Sequence, residues 1–105
     1  MPDFVNTVFE VSTLLNPEIL LFTLEEIEKE MGRTGKGDWQ PRVIDLDILF
    51  YGNEVYESKK LKLPHPEIER RMFVLKPMCD LAPEFVHPIL KKKMEVLYAN
   101  LHRHR

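Results

Sequence analysis

Polar and apolar positions alternate most strictly over residues 42–51, Arg-Val-Ile-Asp-Leu-Asp-Ile-Leu-Phe-Tyr. Branched and aromatic residues in that rhythm predict a strand. Ile44, Leu46, Ile48 and Phe50 then share one face, able to close over a core, while Asp45, Asp47 and Leu49 share the other. A second strand is predicted over residues 4–13, with Val5, Thr7, Phe9 and Val11 on one face and Phe4, Asn6, Val8 and Glu10 on the other. So apolar a strand wants neighbours on both sides, and the chain offers one further strong strand. Between the two, the period lengthens to that of a helix: Leu20, Leu24, Ile27 and Met31 form a stripe. Asn16 supplies the N-cap, Pro17 the first helical position, Glu18 an acid in the first turn and Gly32 the stop.

A polar loop rich in chain breakers (Gly35, Gly37 and Pro41, with Trp39) leads from this helix to the acid-bearing strand. After that strand, Gly52-Asn53 predicts a turn, and residues 54–63 short extended structure with a lysine-rich bend. Pro64 and Pro66 hold His65 in extended backbone. A short helix is expected over residues 73–81, broken around Pro77, then a rigid connector over residues 82–88. A final amphipathic helix is expected over residues 89–101, with Met94, Leu97 and Leu101 inward, before a frayed basic tail over residues 102–105.

Composition narrows the class. The 105 residues make one small domain, with enough chain for a single core. At 44% hydrophobic, 30% charged and net charge −2, nothing favours a nucleic acid over a small molecule. A single cysteine, Cys79, excludes an internal disulfide and fits a reducing compartment. Apolar runs are far too short for a membrane span, and no charged-then-apolar leader opens the chain, so a cytoplasmic soluble protein is expected.

The candidate chemistry lies in the two aspartates. On a strand they sit roughly 6–7 Å apart and point the same way, so their charges repel and demand a cation. Arginine partners on a salt-bridged edge would satisfy them, and so would Mg²⁺, which takes few protein carboxylates and keeps its waters. Arg33, Lys36 and Arg42 add positive charge beside the pair, and with Trp39 and the glycines they suit a lid over a polyphosphate or a merely flexible connection. His65, Arg70 and Arg71 have the chemistry to converge on anionic oxygens. Glu25 and Glu28, off the apolar stripe, read as a solvated helix face.

Taken in order, Pro2-Asp3-Phe4-Val5-Asn6, Gly32-Arg33, Trp39-x-Pro41-Arg42-x-x-Asp45-Leu46-Asp47, Leu63-Pro64-His65-Pro66 and Arg71-x-Phe73-Val74-Leu75-x-Pro77-x-x-Asp80-Leu81-Ala82-Pro83 resemble the 6-hydroxymethyl-7,8-dihydropterin pyrophosphokinases of folate synthesis. The likeness runs from Pro2 to about Pro88 and starts just upstream of what would be the family's third strand, without its opening strand-helix-strand. It implies an α+β, ferredoxin-like fold, an antiparallel sheet with helices on one face, here N-terminally truncated within a single partial domain over residues 1–105.

The resemblance also implies roles. Asp45 and Asp47 would hold two Mg²⁺ ions between ATP and the pterin hydroxymethyl oxygen, and Asn6 would bond the pterin edge with Phe4, Trp39 and Phe73 on or near its faces. Arg42, His65 and Arg71 would contact ATP phosphates, Arg33 corresponds to a lid arginine, and Glu28 matches a position beside the nucleotide. The reaction implied is attack of the hydroxymethyl oxygen on the β-phosphorus of ATP, releasing AMP. The partners implied are thus ATP and the pterin, with no nucleic acid and no membrane. Two functions stand beside each other: the pyrophosphokinase itself, or a non-catalytic remnant of that fold that binds nucleotide or pterin or self-associates; an exposed sheet edge predicts a homo-oligomer.

Overall fold

The computed structural model describes residues 6–33 and 45–103. Helix α1, Pro17–Arg33, begins as its sequence dictates: Asn16 Oδ1 accepts the Ile19 N–H at 2.9 Å, and Asn16 O accepts that of Leu20 at 2.9 Å. It ends one residue beyond Gly32. Leu20 and Leu24 face inward as expected and Leu21 joins them, whereas Ile27 and Met31 are exposed.

Strands β1, Tyr56–Glu57, and β2, Lys62–Leu63, form an antiparallel hairpin pairing Tyr56 with Leu63 and Glu57 with Lys62. Lys59 and Lys60 occupy its bend, which Ser58 N closes on Leu61 O at 2.8 Å. Gly52, at φ 57, makes the preceding turn in a backbone region costly for a β-carbon. A 3₁₀ turn, Ile68–Arg70, leads into α2, Met72–Leu81. Contrary to the expected break, α2 runs unbroken through Pro77. An interior proline costs roughly 3 kcal/mol, but burial of Leu75 and Met78 holds the helix on the core. Fully burying two such side chains contributes about 1.5–3 kcal/mol each, enough to offset it.

Helix α3, Met94–Arg103, starts five residues later than the apolar pattern places it. Residues 87–92 form a tight turn instead, closed by His87 N on Lys92 O at 2.9 Å and Lys91 N on His87 O at 2.8 Å, with Lys91 at φ 59. Ile89 and Leu90 are therefore exposed, while Met94 and Leu97 are buried as expected. His102 and Arg103 belong to α3; the last two residues of the expected tail lie outside the described residues.

In their described parts, the two segments expected as long strands are not strands. Residues 6–13 join no ladder; Phe9 and Val11 are exposed, and Val8 alone of this stretch packs on the core. Residues 45–51 also join no ladder, and their tie to the next segment is His65 N donating to Leu49 O at 2.8 Å. Pairing, not propensity, makes a strand, and neither segment has a ladder partner among the described residues. The expected facing is corrected too. Ile48 enters a cluster with Leu61 and Leu63, while Leu49 and Phe50 both pack on a second cluster of Ile68, Leu75, Met78, Met94 and Leu97. Past Asp47 the segment is thus covered on both sides, so simple alternation ends there. Helices and an antiparallel hairpin occupy separate stretches, an α+β arrangement.

Candidate functional site

The acid-bearing segment is fastened at both ends and exposed at its acids. Asp45 and Asp47 are exposed, Leu46 is half-buried and Ile48 is buried. Between the aspartates the Leu46 N–H donates to Glu28 Oε2 at 2.5 Å. Glu28 reaches that position because Leu20, Leu21 and Leu24 seat α1 on the Ile48 cluster. A residue that reads in sequence as a solvated helix face is therefore a backbone anchor, and it brings a third carboxylate to the segment.

At the other end, the Leu49–His65 bond joins the acid-bearing segment to the Leu63-Pro64-His65-Pro66 stretch, where the Leu63–Pro64 bond is cis. His65 Nδ1 lies 3.0 Å from Pro66 O. Donation in that contact puts the proton on Nδ1 and leaves the lone pair of the neutral ring on Nε2. Arg71 Nη2 lies 3.7 Å from Glu67 Oε1, a half-exposed pair worth at most about 1 kcal/mol. Its guanidinium carbon stands 5.9 Å from the centre of the Phe73 ring, and that ring is exposed. Arg71 and Phe73 thus present a cation and an aromatic face together, while Arg70 lies 4.0 Å from Glu69 instead.

Asn6 is exposed on a segment outside any strand. Phe4, Lys36, Trp39, Arg42 and Ile44 lie outside the described residues, as does the side chain of Arg33. Among the described residues no group of three His, Cys, Asp or Glu forms a metal cage. The chemistry of two exposed carboxylates, oxygen donors alone, fits Mg²⁺ better than a metal that needs a closed protein cage. Cys79 does not belong to this site: its Sγ donates to Met94 O at 3.3 Å, and burial pushes the thiol up, away from the reactive thiolate.

Sequence reasoning missed two features. Glu18 Oε2 accepts Tyr56 Oη–H at 2.6 Å and Ser58 Oγ–H at 2.5 Å, clasping α1 to the hairpin across some forty residues. The Ser58 and Tyr56 hydroxyls hold the Glu18 carboxyl below its usual range, and Glu18 in turn raises the Tyr56 phenol. No local pattern announces such a contact. The second is His87, buried beside Phe50. The Pro88 that follows it is the one sequence sign of a turn there.

A body of helices and one antiparallel hairpin, with two exposed aspartates on an extended segment, is that of a small α+β protein. Residues 1–83 match the model of the 7,8-dihydro-6-hydroxymethylpterin-pyrophosphokinase family, and the chain belongs to that family. It is 42% identical over 93 residues to the 2-amino-4-hydroxy-6-hydroxymethyldihydropteridine pyrophosphokinase of Aquifex aeolicus, an alignment covering 89% of this chain and 58% of that protein. Its likeness to the same enzyme of Haemophilus influenzae is 42% over 87 residues, 83% of this chain and 54% of the relative. The folic acid synthesis protein fol1 of Pneumocystis carinii is 51% identical over 88 residues, 84% of this chain and 12% of that much longer protein. The chain thus spans about half the length of the single-function relatives it matches.

Proposed function

We propose that this chain supplies the metal- and nucleotide-binding part of a pyrophosphokinase that transfers the terminal diphosphate of ATP to 6-hydroxymethyl-7,8-dihydropterin. The observation that carries the reading is the pair of exposed acids, Asp45 and Asp47, set on either side of the Glu28-anchored Leu46 amide. Family membership supports the substrates, and residues 1–105 are taken as one partial domain of the ferredoxin-like family fold. Asp45 and Asp47 would hold the Mg²⁺, in the family's manner two ions. When bound, that ion neutralises phosphate charge and polarises the reacting oxygens. Arg71 and His65 would meet phosphate oxygens, with Arg42 and Arg33 joining from the Gly-rich loop. Phe73, Phe4 and Trp39 would offer ring faces, Asn6 an amide for the pterin edge, and Glu28 a place beside the nucleotide.

The new bond joins the hydroxymethyl oxygen to the β-phosphorus as the bond from that phosphorus to the α-phosphate oxygen breaks, releasing AMP and the hydroxyl proton. Positioning and charge neutralisation carry such transfers without a covalent nucleophile. A second reading, a binding module that associates with its own kind and does not turn over alone, is supported by the exposed side chains of Phe9, Val11 and Leu14.

One assay separates them: AMP release by the 105-residue chain with ATP, Mg²⁺ and the pterin. Release that falls at least about 10²-fold in both Asp45→Ala and Asp47→Ala upholds the first reading. A folded chain forming no AMP even at high protein concentration upholds the second.

A further inference from the structure

His87 has the geometry of a residue that works only when neutral. It is 4% exposed, and its Nδ1 accepts two backbone N–H groups, from Ile89 at 3.2 Å and Leu90 at 3.1 Å. Two donors converging on one ring nitrogen require the lone pair there, so the proton sits on Nε2. These bonds close the 87–92 turn, together with the two backbone bonds between His87 and residues 91 and 92. The imidazole meets the Phe50 ring edge-on, with centroids 5.5 Å apart and planes at 85°, and Phe50 meets Phe85 in the same manner at 4.8 Å. Phe50 lies three residues beyond Asp47, in a segment whose backbone joins no ladder. Besides the Leu46–Glu28 and Leu49–His65 bonds, side-chain packing holds that segment, and the His87 ring is one wall of it.

We infer that His87 is a positioning residue for the acid-bearing segment, acting through the Phe50 ring, and that protonating it loosens residues 45–50. This rests on the reading of Asp45 and Asp47 as the metal-holding acids. A proton on Nδ1 turns the acceptor into a donor facing two donors, so both turn bonds are lost and a charge is placed among aromatic rings. Burial accordingly lowers the imidazole's affinity for that proton, and Glu69 on the 3₁₀ turn partly opposes the effect. Glu69 is the charged side chain whose field reaches the ring; Lys91 and Lys92 bond to His87 backbone to backbone. Phe50 and Phe85 carry no charge.

The test is amide NMR of the full chain, without metal or nucleotide, from about pH 7.5 to about pH 5, the span over which imidazoles titrate. His87→Asn is the matched control, because an Asn side-chain oxygen can accept turn N–H groups and does not titrate. In the parent chain the amides of Ile89, Leu90 and residues 45–50 are expected to move together, with one midpoint on the acid side of a free imidazole. In His87→Asn they are expected to stay at their neutral positions throughout. Movement of residues 45–50 that persists in His87→Asn arises from another group and overturns the inference. So does movement confined to residues 87–92 in the parent chain. If His87→Asn fails to fold, His65→Asn in the parent chain decides the matter: movement of residues 45–50 together with Ile89 and Leu90 that remains upholds the inference, and movement of residues 45–50 that is lost overturns it. Mg²⁺ titration of the same amides then separates the readings: coupled movement with no Mg²⁺ response leaves the positioning role standing and removes the catalytic one.

Discussion

At the scale of single residues, Glu28 shows how a side chain changes meaning once folded. Its spacing places it on the outer face of α1, yet its carboxylate takes the half-buried amide of Leu46. Glu28→Ala is expected to cost about 0.5–1.5 kcal/mol of stability for the lost bond. Because the amide lies between the two aspartates, the same change should weaken Mg²⁺ binding about tenfold or more, as loss of an orienting partner does. Glu28→Gln keeps an acceptor oxygen and should restore most of both; calorimetric Mg²⁺ titration of the three chains checks it. The exposure of the aspartates was legible, since a D-x-D pair between apolar residues can scarcely be core. The Glu28 bond to Leu46 was not, because helical spacing says which residues share a face and nothing of what lies opposite.

Among elements, the hairpin and α1 depend on each other. The hairpin has two residues per strand, too few to stand alone. Leu63 and Leu61 bury against the α1 leucines, and Glu18 clasps Tyr56 and Ser58. Since the folded Glu18 carboxyl lies below its usual range, its contribution is complete above the ordinary carboxylate pKa and is lost as pH falls through the folded value. Glu18→Gln is expected to flatten that acid limb of the stability curve and to speed hydrogen exchange at Ser58 N, the amide bonded to Leu61 O. Unchanged exchange at Ser58 would remove the clasp from the account. The start of α1 was legible to the residue because a cap is local chemistry. The start of α3 was not: Ile89 and Leu90 continue an apolar pattern, but His87 captures their amides and delays the helix to Met94.

For the molecule as a whole, the outstanding feature is apolar surface at the start of the described chain. Phe9, Val11, Leu14, Ile19 and Phe22 are all exposed. Fully burying side chains of this size is worth about 1.5–3 kcal/mol each, ample drive for association. Sedimentation equilibrium at about 10 μM, a concentration that rewards interfaces of roughly 7 kcal/mol, is expected to give a mass above that of one chain. Phe9→Asp combined with Val11→Asp should return it to 12.5 kDa. A monomer in both would show that this surface tolerates water. No helix among the described residues is long and apolar enough to cross a membrane.

By itself, the sequence determined what is local or additive. It placed the cap and first turn of α1, the lysine bend of the hairpin, the inward face of α3 and the ordered motifs that carry family membership. Tertiary structure alone decided whether apolar runs became strands and where each side chain found its partner. A ladder needs a second backbone and a buried polar contact needs two distant residues, so neither can be settled one segment at a time.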